Sequence, residues 1–180
     1  MFSAPIRNGF QIRLLEERHA AEVFAAVERN REHLRPWLPW VDMTSKEDDT
    51  RAFIKASLQQ FAANEGLAAG IWSPTRFAGG IGTHKIDWLN RRGSIGYWLS
   101  QEFVGQGIMT DACRCLITHL FHELGLNRVE IHCAVGNDKS AGVPRRLGFT
   151  LDGVLRQAHF VNGRFHNLNV FGMLKSEWPA

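Results

Sequence analysis

The feature that most constrains this chain is an abrupt change of hydrophobic period around two glycines. Arg92 to Leu99 reads as a strand, a turn through Gly105-Gln106-Gly107 follows, and then Ile108, Ala112, Cys115, Leu116, Leu120 and Phe121 recur at helical spacing. A strand that passes through such a turn straight into a helix exposes the unpaired N–H groups and the positive dipole end of that helix. An end of this kind holds a phosphate or pyrophosphate, and Gly105 and Gly107 lack the Cβ atoms that would block close approach. Thr110 adds a hydroxyl in the first turn. There is no third glycine at dinucleotide spacing and no Gly-Lys-Ser/Thr ending, so neither of those nucleotide-binding patterns fits. The plain alternative is a tight strand-to-helix connection.

The remaining segments supply a sheet and its covering helices. Phe10 to Leu15 alternates as a strand, and Glu16 to Asn30 carries Ala20, Val23, Phe24 and Val27 at helical spacing. His33 to Asp42, with Pro36, Trp37, Pro39 and Trp40, predicts an aromatic-rich loop or a short broken helix. Ser45 and Asp48 predict a cap that opens a helix to about Ala63. Gly66 to Trp72, Arg76 to Ile86 and Arg92 to Leu99 predict an antiparallel meander. The long helix ends near Gly125, Arg128 to Val135 reads as a strand, and Lys139 to Leu147 as a short helix. Phe149 to Val161 and Arg164 to Leu174 flank Asn162-Gly163, the strongest short hairpin signal. This order predicts an α/β fold of the α+β mixed kind, a sheet packed by helices and closed by a β-hairpin. At 180 residues the chain suits one core better than two, so a single domain over 1–180 is expected.

Charge narrows the function classes. The net charge is +3, a mild excess that suits an anionic ligand and is too diffuse for a nucleic-acid stripe. No stretch approaches the roughly 18 apolar residues that span a bilayer, and Met1 to Asn8 has no signal-peptide core, so a cytoplasmic protein without membrane partners is expected. Cys113, Cys115 and Cys133 are an odd count with no Cys-x-x-Cys or His-x-x-x-His pair, which predicts reduced thiols and no metal site.

Three ordered motifs carry a resemblance. Glu102-Phe103-Val104-Gly105-Gln106-Gly107 is similar to the coenzyme A pyrophosphate loop of GNAT acetyltransferases, Gln/Arg-x-x-Gly-x-Gly/Ala, with Glu102 departing at the first position. The preceding Ile95-Gly96-Tyr97-Trp98-Leu99 looks like the RimJ/RimL branch of that superfamily. Downstream, Asn137 and Ser140, then Leu147-Gly148-Phe149 and Asp152-Gly153, resemble the family's Asn-x-x-Ser…Leu-Gly-Phe…Glu-Gly, with Asp152 for the glutamate. Arg31 to Trp40 is similar to the branch's early loop. The likeness covers nearly the whole chain.

The resemblance implies a GNAT fold, with a mostly antiparallel twisted sheet flanked by helices, and direct acetyl transfer from acetyl-CoA to a primary amine. The first expectation for that amine is the N-terminal α-amine of a protein such as a ribosomal protein. A small amine or peptide-like antibiotic is the second, and a non-catalytic acyl-CoA-binding module the third. The resemblance implies that Trp98 and Leu99 border the pantetheine arm and that Val104, Gly105, Gln106, Gly107, Ile108, Met109 and Thr110 hold the pyrophosphate. Asn137 and Ser140 would sit at the thioester, with Ser140 as the acid that meets the leaving thiolate or, on the bland reading, a helix cap. His159 stands where the branch often has a glutamate and is the expected base, while Ser94 replaces another frequent carboxylate and leaves room for a water relay. Trp37, Trp40, His84 and Tyr97, together with Trp88, are expected around the acceptor, with core packing as the alternative for the tryptophans. The branch admits monomers and homodimers alike.

Overall fold

A computed structural model describes residues 3–179, and they form one eight-stranded sheet with helices on both faces. In chain order the elements are β1 (Ser3–Pro5), β2 (Gln11–Leu14), α1 (Ala20–Arg29), α2 (Arg31–Leu34), α3 (Glu47–Ala62), β3 (Ala68–Trp72), β4 (Phe77–Thr83) and β5 (Arg92–Leu99). Then follow α4 (Ile108–His122), β6 (Arg128–Ala134), α5 (Asp138–Arg146), β7 (Thr150–Val161) and β8 (Arg164–Leu174). The spatial order is β1-β2-β3-β4-β5-β6-β8-β7. Every pairing is antiparallel except β5 with β6. None of the described helices is long and apolar enough to cross a membrane.

The predicted meander of β3, β4 and β5 is present. So is the hairpin, where Asn162 and Gly163 both take positive φ, 50° and 72°, as a two-residue I′ turn requires. Differences lie at element ends. β1, only three residues long and ending in Pro5, has no readable period. β4 stops at Thr83 rather than Ile86. The cap of α3 is built by Asp49 instead of Asp48: its carboxylate accepts from Ser45 N–H at 2.9 Å, Ser45 Oγ at 3.0 Å and Lys46 N–H at 3.1 Å. The aromatic loop becomes α2 and a 3-10 turn over Pro39–Met43, a short broken helix as one of the two expectations had it.

Two apolar cores flank the sheet. On one face α4 buries Ile108, Ala112, Cys113, Ile117, Leu120 and Phe121 to zero exposure against Ile71, Ile81, Val129, Ile131 and Phe171. Past Gly125, at φ 68°, the Leu126 N–H returns to the Leu120 carbonyl at 3.0 Å and ends that helix. On the other face Ala20, Val23 and Ala26 of α1 meet Ile54 of α3, Trp72 and Phe77. Successive strand residues point to opposite faces, so β5 serves both cores at once.

Candidate active site

The sheet opens where its single parallel pair gives out. β5 and β6 stay in register from Arg92↔Arg128 to Ile95↔Ile131 and no further, although β5 runs on to Leu99 and β6 to Ala134. Beyond that point Gly96 to Leu99 pair with β4 alone, and His132 to Ala134 with β8 alone. The gap between the splayed ends is part of a cleft of about 1290 Å³. That exceeds the roughly 300–1,000 Å³ of ordinary small-ligand pockets, so it has room for a long donor and a separate acceptor.

At one end the cleft meets the start of α4. Gly105 and Gly107 have φ of 84° and 78°, in the left-handed region that favours glycine, and no atom lies within 4 Å of a Cβ built on Gly105. The hollow over this turn faces the unpaired N–H groups of the first turn of α4. Arg146 Nε lies 3.1 Å from Thr110 Oγ1, bringing a guanidinium to the same place. Glu102 is turned away in an ion pair with Arg76. Open space, paired glycines, helix N–H groups and a cation fit the pyrophosphate of coenzyme A.

The middle of the cleft is organised by the start of α5. Asn137 caps it, its Oδ1 accepting from the Ser140 N–H at 3.2 Å. Pro144 lies inside α5 and has no N–H, so the Ser140 carbonyl lacks its helical donor four residues on. The Tyr97 hydroxyl fills that vacancy, donating to the Ser140 carbonyl at 3.0 Å. Ser140 Oγ in turn is 3.5 Å from the Tyr97 oxygen and 3.3 Å from Cys133 Sγ. Burial pushes the Tyr97 phenol well above its ordinary value, with Cys133 and Cys113 adding to it, so it stays protonated. Burial likewise raises the Cys133 thiol.

Across the sheet, Trp98 points the opposite way from Tyr97. Its indole lies over Gly80 of β4, where a Cβ would come within 2.7 Å of Nε1, and its ring is 5.7 Å from Phe77 and 6.0 Å from Trp40. Gly96 shares that face, with His84 Nε2 3.1 Å from the place of its missing Cβ. Burial lowers the His84 pKa and the neighbouring His132 adds to this. His33 stands against the Leu99 carbonyl; burial lowers its pKa, Lys139 adds to the lowering, and the carbonyl opposes it. His159 Nε2 is 2.9 Å from the Trp37 carbonyl, so that nitrogen carries the hydrogen and Nδ1 is the one open to accept a proton.

Apart from Trp88, the site residues expected from sequence line this one cleft, from Trp37 and Trp40 through Trp98 to Thr110 and on to Asn137, Ser140 and His159. Tyr97, expected at the acceptor, instead sends its hydroxyl to the Ser140 end. Trp88 is not part of the lining; its Nε1 donates to the Asn64 carbonyl at 2.6 Å. The lining also holds Arg7, His33, Lys139 and Arg146, which the sequence reading did not single out. Arg146 is six residues beyond Ser140, and His33 lies in the quoted Arg31 to Trp40 string, but spacing alone distinguishes neither from solvent-facing charge.

Comparison with known proteins agrees with this geometry. A B. subtilis (strain 168) protein named "Putative ribosomal N-acetyltransferase YdaF" is 41% identical over 100% of this chain and 99% of its own length. The ribosomal-protein-serine acetyltransferase of E. coli (strain K12) is 28% identical over 94% of each chain. The solved structure of RimL, ribosomal L7/L12 alpha-N-protein acetyltransferase, in complex with coenzyme A superposes with a TM-score of 0.92 at 28% identity, covering 96% of this chain and 97% of that one. The family described as acetyltransferase (GNAT) domain matches residues 10–150, well over half the length. The chain therefore belongs to the GNAT acetyltransferases.

Proposed function

We propose that this enzyme transfers an acetyl group from acetyl-CoA to the N-terminal α-amine of a protein, with ribosomal proteins as the acceptor class. The observation that carries the choice of amine is the charge of the cleft. Among the described residues lining it, Asp49 is the one carboxylate, and its Oδ2 takes the three hydrogen bonds that cap α3. The acceptor face offers Trp37, Trp40, Trp98, His84 and His159 instead. A polyamine or a lysine ammonium, with a pKa of about 10.4, needs a carboxylate to enter such a place charged. An α-amine, with a pKa of about 8, sheds its proton at little cost near neutrality. The names of the similar proteins support the same acceptor class.

The donor supplies an activated thioester, and the chain's own groups do the rest. The open loop of Gly105 and Gly107, with the first turn of α4, accommodates the pyrophosphate. The gap beside Trp98 and Leu99 accommodates the pantetheine arm. Ser140 Oγ faces the thioester sulfur: a thiolate whose parent pKa is about 8.5 needs a hydrogen bond more than a strong acid. Tyr97, its own proton held by the Ser140 carbonyl, accepts the Ser140 hydroxyl hydrogen at 3.5 Å and orients it until the leaving thiolate takes over as the acceptor. On the opposite face a neutral imidazole takes the proton from the attacking amine. His84 is suited by its lowered pKa, and His159 by its free Nδ1.

The test is thiol release from acetyl-CoA with N-terminal ribosomal-protein peptides, lysine peptides, polyamines and amine-bearing antibiotics. Release with the N-terminal peptides and a mass shift on the α-amine supports the proposal. Release with polyamines or lysine peptides at equal kcat/KM refutes the charge argument.

A further inference from the structure

Arg7 lies in the turn between β1 and β2, remote in sequence from every motif, yet its guanidinium stands at the mouth of the glycine loop. A Cβ built on Gly107 would come within 2.6 Å of Arg7 Nη1 and 3.0 Å of its Cζ. The guanidinium is held there by Asp111 in the first turn of α4, through Nε and through Nη2 to Oδ1 at 3.1 Å. Arg146 approaches the same helix end through Thr110 and has no carboxylate partner among the described residues. Two guanidinium groups from opposite ends of the chain thus converge on one hollow beside free helix N–H groups.

We propose that Arg7 is a phosphate-contacting residue for the acetyl donor, its guanidinium moving from Asp111 to a phosphate of coenzyme A when the donor binds. The inference rests on the acetyl-CoA reading above. Physically the exchange is favourable in direction. A pyrophosphate carries more charge than one carboxylate, presents oxygens that a planar guanidinium can grip in pairs, and lies at the positive end of α4, where an anion is already favoured. Asp111 then competes with the donor for Arg7. Removing Arg7 and removing Asp111 must therefore act with opposite signs, which a purely structural ion pair would not do.

The experiment measures acetyl-CoA affinity by calorimetry, and kcat and KM by thiol release, for wild type, Arg7→Gln, Arg7→Lys, Asp111→Asn and the double variant. Arg7→Gln is expected to weaken donor binding about threefold to tenfold, the range of an exposed charge-assisted contact, with kcat within about twofold and an unchanged melting temperature. Arg7→Lys recovers part of that loss. Asp111→Asn tightens binding, and the gain disappears in the Arg7→Gln background. Acetyl-dephospho-CoA names the phosphate: a penalty that persists supports a pyrophosphate contact, and one that vanishes supports the 3′-phosphate. Equal affinity for Arg7→Gln and wild type overturns the proposal, as do both single variants weakening binding alike, or an equal penalty with acetyl-pantetheine, which has no phosphate. Wild type failing to bind acetyl-CoA would instead overturn the donor reading, a result visible before any variant is made.

Discussion

Replacing Tyr97 with phenylalanine should cost both stability and rate, by amounts set by Pro144. The phenol donates at 3.0 Å to a Ser140 carbonyl that Pro144 deprives of its helical N–H. Without the hydroxyl that carbonyl is left unpaired in a part-buried place, a cost of about 1 kcal/mol or more. The rate should fall about tenfold, less than a positioned acid contributes, because the Ser140 hydroxyl remains to face the thiolate and loses only the partner that orients it. Pro144→Ala supplies an N–H four residues from Ser140, so in the Tyr97→Phe background it should restore about 1 kcal/mol or more beyond its effect in wild type. It restores no activity, since no second hydroxyl returns. Urea unfolding of the four proteins gives the coupling energy, and thiol release gives kcat. A coupling near zero would show that the carbonyl finds its donor elsewhere. Undiminished kcat in Tyr97→Phe would remove the phenol from the chemistry.

Four further outcomes follow from the same geometry. Ser140→Ala should lower kcat about a hundredfold with little change in acetyl-CoA affinity, because the cap uses its N–H and not its hydroxyl; equal turnover would discard Ser140 as the acid. His33 and His84 have folded pKa values below the ordinary 6.5, so between those values and 6.5 the unfolded chain binds more protons. Stability should thus be full above pH 6.5 and fall as pH drops through the folded values, and unfolding midpoints that rise on acidification through this window would contradict it. Gly105→Ala strains a φ of 84° by about 1–2 kcal/mol and its Cβ meets no protein atom, so acetyl-CoA KM should rise well beyond what a melting curve registers; an unchanged KM would sink the loop assignment. Phe121→Ala empties a fully buried site under α4 and should cost about 3–5 kcal/mol by denaturant titration, and a loss below 1 kcal/mol would mean the core repacks around it.

What was legible in the sequence is what depends on neighbours in sequence. The passage from Trp98 through the glycines to Thr110 announces itself because a change of period, two glycines and a helix start fall within a dozen residues. The hairpin at Asn162-Gly163 is local in the same way. The meeting of Tyr97, Cys133 and Ser140 is not, since it exists only because β5 and β6 part after Ile95 and Ile131 and leave their ends facing α5. Pro144 is a helix breaker by type, and by lacking an N–H it leaves free the Ser140 carbonyl that fixes Tyr97. Asp48 and Asp49 both sit at cap distance from Ser45, and only the backbone path decides between them. Trp88 resembles its cleft-lining counterparts in type but is tied to Asn64 instead.

The division of labour across the sheet explains why one donor chemistry can coexist with different acceptors. On the proposed reading, the α4 and α5 side offers the donor backbone N–H groups, paired glycines and a capped helix, and these are fixed by a core in which side chain after side chain has no exposure. On the other side the proposed acceptor meets Trp37 in the turn after α2 and Trp40 in the 3-10 segment that follows, and two carbonyls of this stretch bond to the hairpin. Asn162 Nδ2 donates to the Arg35 carbonyl at 3.1 Å, and His159 Nε2 to the Trp37 carbonyl at 2.9 Å. Contacts of that kind are worth about 1 kcal/mol each, against several for each large apolar side chain buried under α4. Leu34 and Val41 anchor the same stretch by burial, so its more exposed residues can change sequence without disturbing the donor site. His159→Ala should raise the acceptor KM through the freed Trp37 segment while acetyl-CoA affinity stays as it was. If the two affinities fell together, the faces would be coupled and the separation of roles would be wrong.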